Sequence, residues 1–482
     1  MAVDSARATT RVVPAQFVFP FVLTTSLFAL WGFANDITNP MVAAFKNILL
    51  ISNFESSLVQ FAFYGGYCVM AIPAAIFIKR FSYKSGLLLG LALYAIGCLL
   101  FIPSGWMMAF WAFLLAYFVM TCGLSFLETS ANPYILSLGS DDTSTRRLNL
   151  AQAFNPMGSL AGMLIAKNLI LQKLDPMTED ARRELQTAAP DAFHKIADHD
   201  LGVIIGPYAV LGLVVLVVLV VFFIAKLPSN RAEGQGGLDL GPTFSRLTKN
   251  RRYIASVIAQ TFYVGVQIMC WTFIIQYAGL TLGLTKADAQ FYNMIAMTVF
   301  VTSRFICTFL LKFFNPGGLL LTLASVGFGL ILWTILGGGN PEAGAALTAA
   351  LQQASGPAAT VGTYLTAPFQ IAGMSGLMAL VGASACMSLM FPTIYGIALK
   401  GLGDDAKLGA AGLIMAIGGG CLMPPLQGWL MDQNALDLGY RMLESVRVSF
   451  VLPLICFAVI MHYGWKTFRV YLPSGHTSQP AA

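Results

Sequence analysis

The chain has 482 residues, 57% hydrophobic and only 10% charged, where ordinary soluble domains carry roughly a quarter charged residues. That composition excludes a water-soluble globular protein and points to an all-α integral membrane protein. The formal charge of +6 does not come from a basic stripe, so no nucleic-acid partner is expected; the basic residues sit in short groups between apolar segments.

The first sixteen residues, MAVDSARATTRVVPAQ (1–16), are polar and basic. The apolar run that follows is too long for a signal-peptide core, so 1–16 reads as a retained tail. A hydrocarbon core about 30 Å thick needs about 20 apolar residues per helix. On that measure six spans are expected near 17–45, 55–78, 84–103, 106–136, 148–171 and 201–225, an N-terminal bundle over 17–225. A hydrophilic linker at 226–252 leads to six more near 253–280, 287–312, 317–336, 373–399, 407–431 and 446–469. These make a C-terminal bundle over 253–469, followed by a tail at 470–482.

With twelve spans, 18 of the 28 Lys and Arg residues fall on one side and nine on the other. Basic excess marks the cytoplasmic face, which would put both termini inside. The remaining basic residue, Arg304, lies within a span. The halves also repeat: offset by 232 residues, 77–100 and 309–332 are identical at ten of 24 positions, including Gly86/Gly318 and the Leu triplets. Two outer segments are long. The polar one at 172–200 has room for a short amphipathic helix, and the Ala- and Gly-rich one at 337–372 suits a loop or a short cap. All eight cysteines lie in apolar segments with no CxxC pair, so neither a disulfide framework nor a zinc site is expected.

A charge in mid-membrane costs about 2.5–3.5 kcal/mol and marks a functional candidate. Three stand out: Asp36 in the first span, Glu128 in the fourth and Arg304 in the eighth. In ALWGFANDITNPM, Asp36 and Asn39 share a helical face beside Asn35, and Pro40 removes the N–H that would bond the Asp36 carbonyl. In GLSFLETSANPYI, Glu128 precedes Asn132 by one turn, with Pro133 next. In RLNLAQAFNPMG, Gln152 precedes Asn155, followed by Pro156. Carboxamides donate and accept, and a carboxylate accepts from vicinal hydroxyls, so the set suits a sugar. In the second half AQTFYVGVQIMCW offers Gln260, Gln267 and Trp271 with Tyr263 beside them, and SLMFPTIYG offers Phe391. The same polar side chains can also serve simply to bridge helices, and Arg304 can snorkel to the cytoplasmic surface. The GGG at 418–420 lacks a following P-loop Lys and reads as a close-packing site.

No Walker motif is present, and the four histidines, His194, His199, His462 and His476, lie in loops or near chain ends. A span carboxylate is therefore the plausible proton carrier, and loading it together with sugar would couple uptake to a proton gradient. A membrane-embedded enzyme would need a reactive His, Ser/His or multi-Asp constellation in the spans, which the sequence lacks. A sugar sensor would need a larger signalling tail than 470–482.

The quoted motifs, with FAFYGGYCVMAIPAAIFIKRFSYKSGLLLG, MFPTIYGIALKGLG and GLIMAIGGGCLMPPLQG, resemble the L-fucose–proton symporter family of the major facilitator superfamily. The resemblance runs over nearly the whole chain apart from its ends and the two long outer segments. It implies two parallel six-helix repeats around a central cavity, and import of a monosaccharide with a proton by alternating access. It further implies a monomer in a bacterial inner membrane with no organic cofactor. Glu128 matches the family carboxylate implicated in sugar recognition and proton coupling, and Gln152 and Asn155 match its sugar-binding pair. Phe391 stands where the fucose carrier has a cavity tyrosine. In the first span the family pattern is approximately A-N-N-x-x-D, whereas here Asp36 and Asn39 hold those two places in exchanged order. Asp36 is therefore expected to take the proton-linked role. Relatives of this kind carry glucose/galactose or N-acetylglucosamine, some with Na⁺, and these are the alternative substrates and coupling ion.

Overall fold

The structure is a computed structural model that describes residues 13–139, 147, 150–227, 240–310, 313–337, 339–399, 402, 405–433, 436–437 and 442–471. Both expected tails lie mostly outside these residues, as do 228–239 of the linker and Asp141, Asp142 and Arg146.

Apolar runs of span length become helices, and ten of them are long and apolar enough to cross a membrane among the described residues. The first span is α1 (Val18–Thr38) and α2 (Met41–Leu49), broken at Asn39–Pro40 as the missing proline N–H demands. Next come α3 (Asn53–Arg80), α4 (Tyr83–Leu99) with its short continuation α5 (Phe101–Met107), and α6 (Phe110–Ser137). The fifth expected span is α7 (Phe154–Ile165), running into a π-helical turn at Ala166–Leu171. The polar outer segment holds α8 (Glu179–Ala188), capped by the Thr178 hydroxyl, and α9 (Pro190–Ile224) begins well before the expected sixth span. Proline at its first position needs no N–H partner there. The helix α10 (Leu240–Lys249) precedes α11 (Arg251–Leu282), α12 (Lys286–Leu310) and α13 (Pro316–Leu336). Residues 337–372 hold two helices, α14 (Ala343–Gln353) and α15 (Pro357–Gln370). The tenth span is split into α16 (Ser375–Met387) and α17 (Met390–Leu399), and the eleventh into α18 (Ala406–Met415) and α19 (Gly419–Met431). A two-residue antiparallel pair, β1 (Leu436–Asp437) with β2 (Met442–Leu443), and the short α20 (Ser445–Ser449) lead to α21 (Val451–Tyr471).

The chain divides into two compact units, residues 1–38 with 65–237 and residues 39–64 with 238–482. This differs from a division at the linker alone. Residues 39–64 join the second unit because Asn53 and Phe54 donate to the Asp432 carboxylate at 2.7–2.9 Å and Gln60 donates to Thr272 at 3.0 Å. Asp432 thereby caps the amino-terminal end of α3, where a negative charge complements the free N–H groups.

Within each unit the same three pairings dominate. In the first, α4 packs on α6, α4 on α9, and α1 on α7; in the second, α13 packs on α16, α13 on α21, and α11 on α19. The repeat seen in the sequence is therefore a repeat of packing. Backbones come close where glycine omits a side chain: a Cβ at Gly158 would lie 1.9 Å from the carbonyl oxygen of Ala29. The counterpart is Gly419 against Thr261 O, also at 1.9 Å, which is the packing role expected of the GGG stretch. Arg182 and Asp200 pair with side chains wholly buried and lock α8 onto α9. The eight cysteines are free, and all but Cys68 are buried.

Candidate functional site

In the first unit three helices bring polar groups together. Asp36 is almost wholly buried in the last turn of α1, with Asn35 half-buried beside it. Half-buried Glu128 and Asn132 lie one turn apart in α6, just before Pro133. Gln152, exposed, stands two residues before α7, and half-buried Asn155 is its second residue. Gln152 Nε2 donates to Asn132 Oδ1 at 3.2 Å, and Asn132 Nδ2 donates to the Glu128 carbonyl at 3.0 Å. This chain ties the entry of α7 to the turn that carries Glu128.

Glu128 Oε2 is buried without a hydrogen-bond partner among the described residues. A charged oxygen left so costs several kcal/mol. Asn155 Nδ2 donates to Phe28 O at 3.3 Å, and Ser159 Oγ to Gly32 O at 3.4 Å, which fixes α7 against α1 and so against Asp36. The end of α1 is held in addition by a buried hydroxyl cluster, Thr38–Tyr208 at 3.4 Å and Tyr208–Tyr117 at 2.9 Å.

Between α1 and α2 the chain turns at Asn39–Pro40. Asn39 belongs to the second unit, where its Oδ1 accepts from Gln60 Nε2 at 3.1 Å. In α11, Gln260 is fully buried and neither side-chain atom has a hydrogen-bond partner among the described residues, whereas Gln267 is half-buried. Trp271 donates its indole N–H to Ser384 Oγ at 3.1 Å and meets the Phe300 ring edge-on at 5.0 Å. Phe391 lies in an aromatic row, 6.1 Å from Tyr263 on one side and 6.1 Å from Tyr395 on the other.

Arg304 does not snorkel freely. Its guanidinium sits over the Phe300 ring at 4.7 Å and donates from Nε to Ser388 O at 3.2 Å, at the break between α16 and α17. It therefore positions the segment that carries Phe391. Sequence reading missed Gln60, Thr272 and Asp432. Gln60 is a lone carboxamide in an apolar span and could have been flagged on that ground; Asp432 looked like an ordinary loop residue. Among the described residues no group of three or more His, Cys, Asp or Glu could hold a metal ion.

A sequence profile of the Major Facilitator Superfamily matches residues 24–385. The chain is 48% identical to the L-fucose-proton symporter of Haemophilus influenzae, over 95% of this chain and 99% of that protein. It is 31% identical to the L-fucose-proton symporter of Escherichia coli, over 92% of each. Among solved structures, the superfamily transporter FucP in its outward conformation superposes with a TM-score of 0.65 at 30% identity, covering 93% of this chain and 99% of FucP. These relatives are transporters, and the chain is accordingly a multi-pass membrane transporter, not an enzyme. By profile, by full-length identity and by fold, it belongs to the Major Facilitator Superfamily.

Proposed function

We propose that this protein imports a monosaccharide, with L-fucose the first candidate, together with a proton and by alternating access. The observation that carries the reading is the buried, unpartnered Oε2 of Glu128 beside the Asn132–Gln152 carboxamide chain. A sugar hydroxyl donating to that oxygen would make a charge-assisted bond of about 1.5–3 kcal/mol. A proton on the same carboxyl removes the cost of burying its charge and leaves an oxygen that still accepts a sugar hydroxyl, so one site holds proton and sugar together, as symport requires. The near-full-length similarity to fucose symporters supports the choice of sugar.

The residues assigned to sugar binding are Asn35, Asp36, Asn39, Glu128, Gln152, Asn155, Gln260, Gln267, Trp271 and Phe391. Asp36 and Glu128 carry the proton. The protein works as a monomer in a bacterial inner membrane with both termini in the cytoplasm, with the sugar and the bilayer as its partners and no nucleic acid or organic cofactor. Proteoliposomes given labelled L-fucose, D-glucose, D-galactose and N-acetylglucosamine, each with and without Na⁺, test substrate and ion together. Accumulation of L-fucose under an imposed proton gradient without Na⁺ is expected. Preference for another of the four would reassign the substrate, strict Na⁺ dependence would reassign the ion, and transport of none would overturn the sugar reading.

A further inference from the structure

The outer segment between α13 and α16 has an unusual composition: no charged residue occurs from 343 to 399. Its second helix, α15, presents three distinct faces. One is docked: Tyr364 and Ala367 are buried, with the Tyr364 hydroxyl donating to the Asp288 carboxylate. The Tyr364 ring also stacks on Phe291 at 4.0 Å, and Tyr292 donates to the Tyr364 carbonyl at 3.1 Å. A second face is polar and at least partly exposed, with Thr363, Thr366 and Gln370. The third is apolar and open: Val361, Leu365 and Phe369 are 44%, 51% and 87% exposed. At 3.6 residues per turn these three fall within about 80° of one another.

The helix also lies at the level of the span ends. Three lines agree. α15 ends five residues before α16; the Thr334 hydroxyl at the end of α13 donates to Gly376 O at 3.2 Å; and Asn340 reaches Ala372 O at 3.3 Å. Beside Thr334, Trp333 and Leu336 are 54% and 44% exposed, so the lipid-facing belt of α13 continues to this height.

We propose that α15 is an interfacial membrane helix, with Val361, Leu365 and Phe369 inserted into the outer leaflet, Thr363, Thr366 and Gln370 facing water, and Tyr364 clamping it to the start of α12. A helix with one apolar and one polar exposed face takes this orientation at a bilayer surface. Without a charged residue it draws on acyl-chain contact and not on anionic headgroups.

The test uses the full-length protein in phosphatidylcholine vesicles with an environment-sensitive fluorophore on L365C, F369C, T366C or Q370C, and signal from the unsubstituted protein subtracted for its native cysteines. The expected result is that brominated acyl chains quench positions 365 and 369 at least twofold more than 366 and 370, with aqueous iodide showing the reverse. Iodide quenching at all four positions without bromolipid quenching would overturn the proposal, since the stripe would face water. Protection of 365 and 369 from both quenchers would also overturn it, since protein would then cover the stripe. V361C replaces either stripe variant that fails to give a monodisperse preparation.

Discussion

At the scale of single residues, coupling rests on Glu128, whose Oε2 has no hydrogen-bond partner among the described residues. Glu128→Gln replaces the carboxyl by a carboxamide that takes up no proton. Proton-driven sugar accumulation in proteoliposomes is expected to fall at least tenfold, while binding of sugar, measured by protection against thermal unfolding, persists within that factor. Phe391→Tyr would add one hydroxyl beside Tyr263. A neutral hydrogen bond is about 0.5–1.5 kcal/mol, so the apparent KM for L-fucose should drop by less than about twelvefold. In the second unit, Arg246 donates twice to Asp405, at 2.6 and 2.9 Å, and holds its carboxyl below the usual carboxylate range. A depressed carboxyl stabilises the folded form above its ordinary titration range, and that contribution is lost as pH falls through the folded value. Arg246→Met should therefore lower thermal stability at pH 7 more than at pH 3, and less in high salt, because the pair is exposed. The charged span residues were legible because a carboxylate in hydrocarbon has no cheap alternative. The partners that restrain them were not, because Gln60 with Thr272 and Arg304 with Ser388 meet only through tertiary packing.

At the scale of elements, proline and glycine carried most of the readable information. Pro40 breaks the first span where its missing N–H requires, and Gly158 and Gly419 mark the closest helix contacts. Gly158→Val drives side-chain atoms into the α1 backbone. It is expected to destabilise by about 3 kcal/mol, the upper end of the overpacking range, seen as a lower unfolding midpoint in detergent. The outer elements were less legible. The 172–200 stretch reads as polar with room for a short amphipathic helix, and α8 is that helix, but the buried Arg182–Asp200 pair that joins it to the start of α9 has two members that look solvent-facing in sequence. Asp200→Ala removes the buried partner of the guanidinium and leaves it, among the described residues, only Asp175, with the carbonyl at 3.2 Å and the carboxylate at 3.9 Å. It should cost about 3 kcal/mol, whereas replacing both Arg182 and Asp200 by apolar residues of similar volume should recover most of that. Recovery failing in the double variant would show that the pair is not the reason for the loss. Likewise, 337–372 reads as a loop or short cap; its helix α14 packs through buried Ala343, Gly344 and Leu347, and α15 docks through Tyr364.

At the scale of the whole molecule, the all-helical membrane architecture and the duplication were evident in hydropathy and in the 77–100/309–332 match, because bilayer thickness constrains span length so tightly. The structure adds that the duplication reaches packing: α1–α7, α4–α6 and α4–α9 recur as α11–α19, α13–α16 and α13–α21. What composition could not reveal is that residues 39–64 leave the first unit for the second, an outcome of the Asn53–Asp432 and Gln60–Thr272 bonds. It also assigns Asp36 and Asn39 to different units. The central claim is that Asp36 and Glu128 load protons along with sugar. The most direct measurement is alkalinisation of the medium when L-fucose is added to de-energised cells or vesicles carrying the wild-type chain, Asp36→Asn or Glu128→Gln. The account predicts a sugar-dependent pH rise for the wild type and its loss in both variants. An unchanged rise in either variant would contradict it.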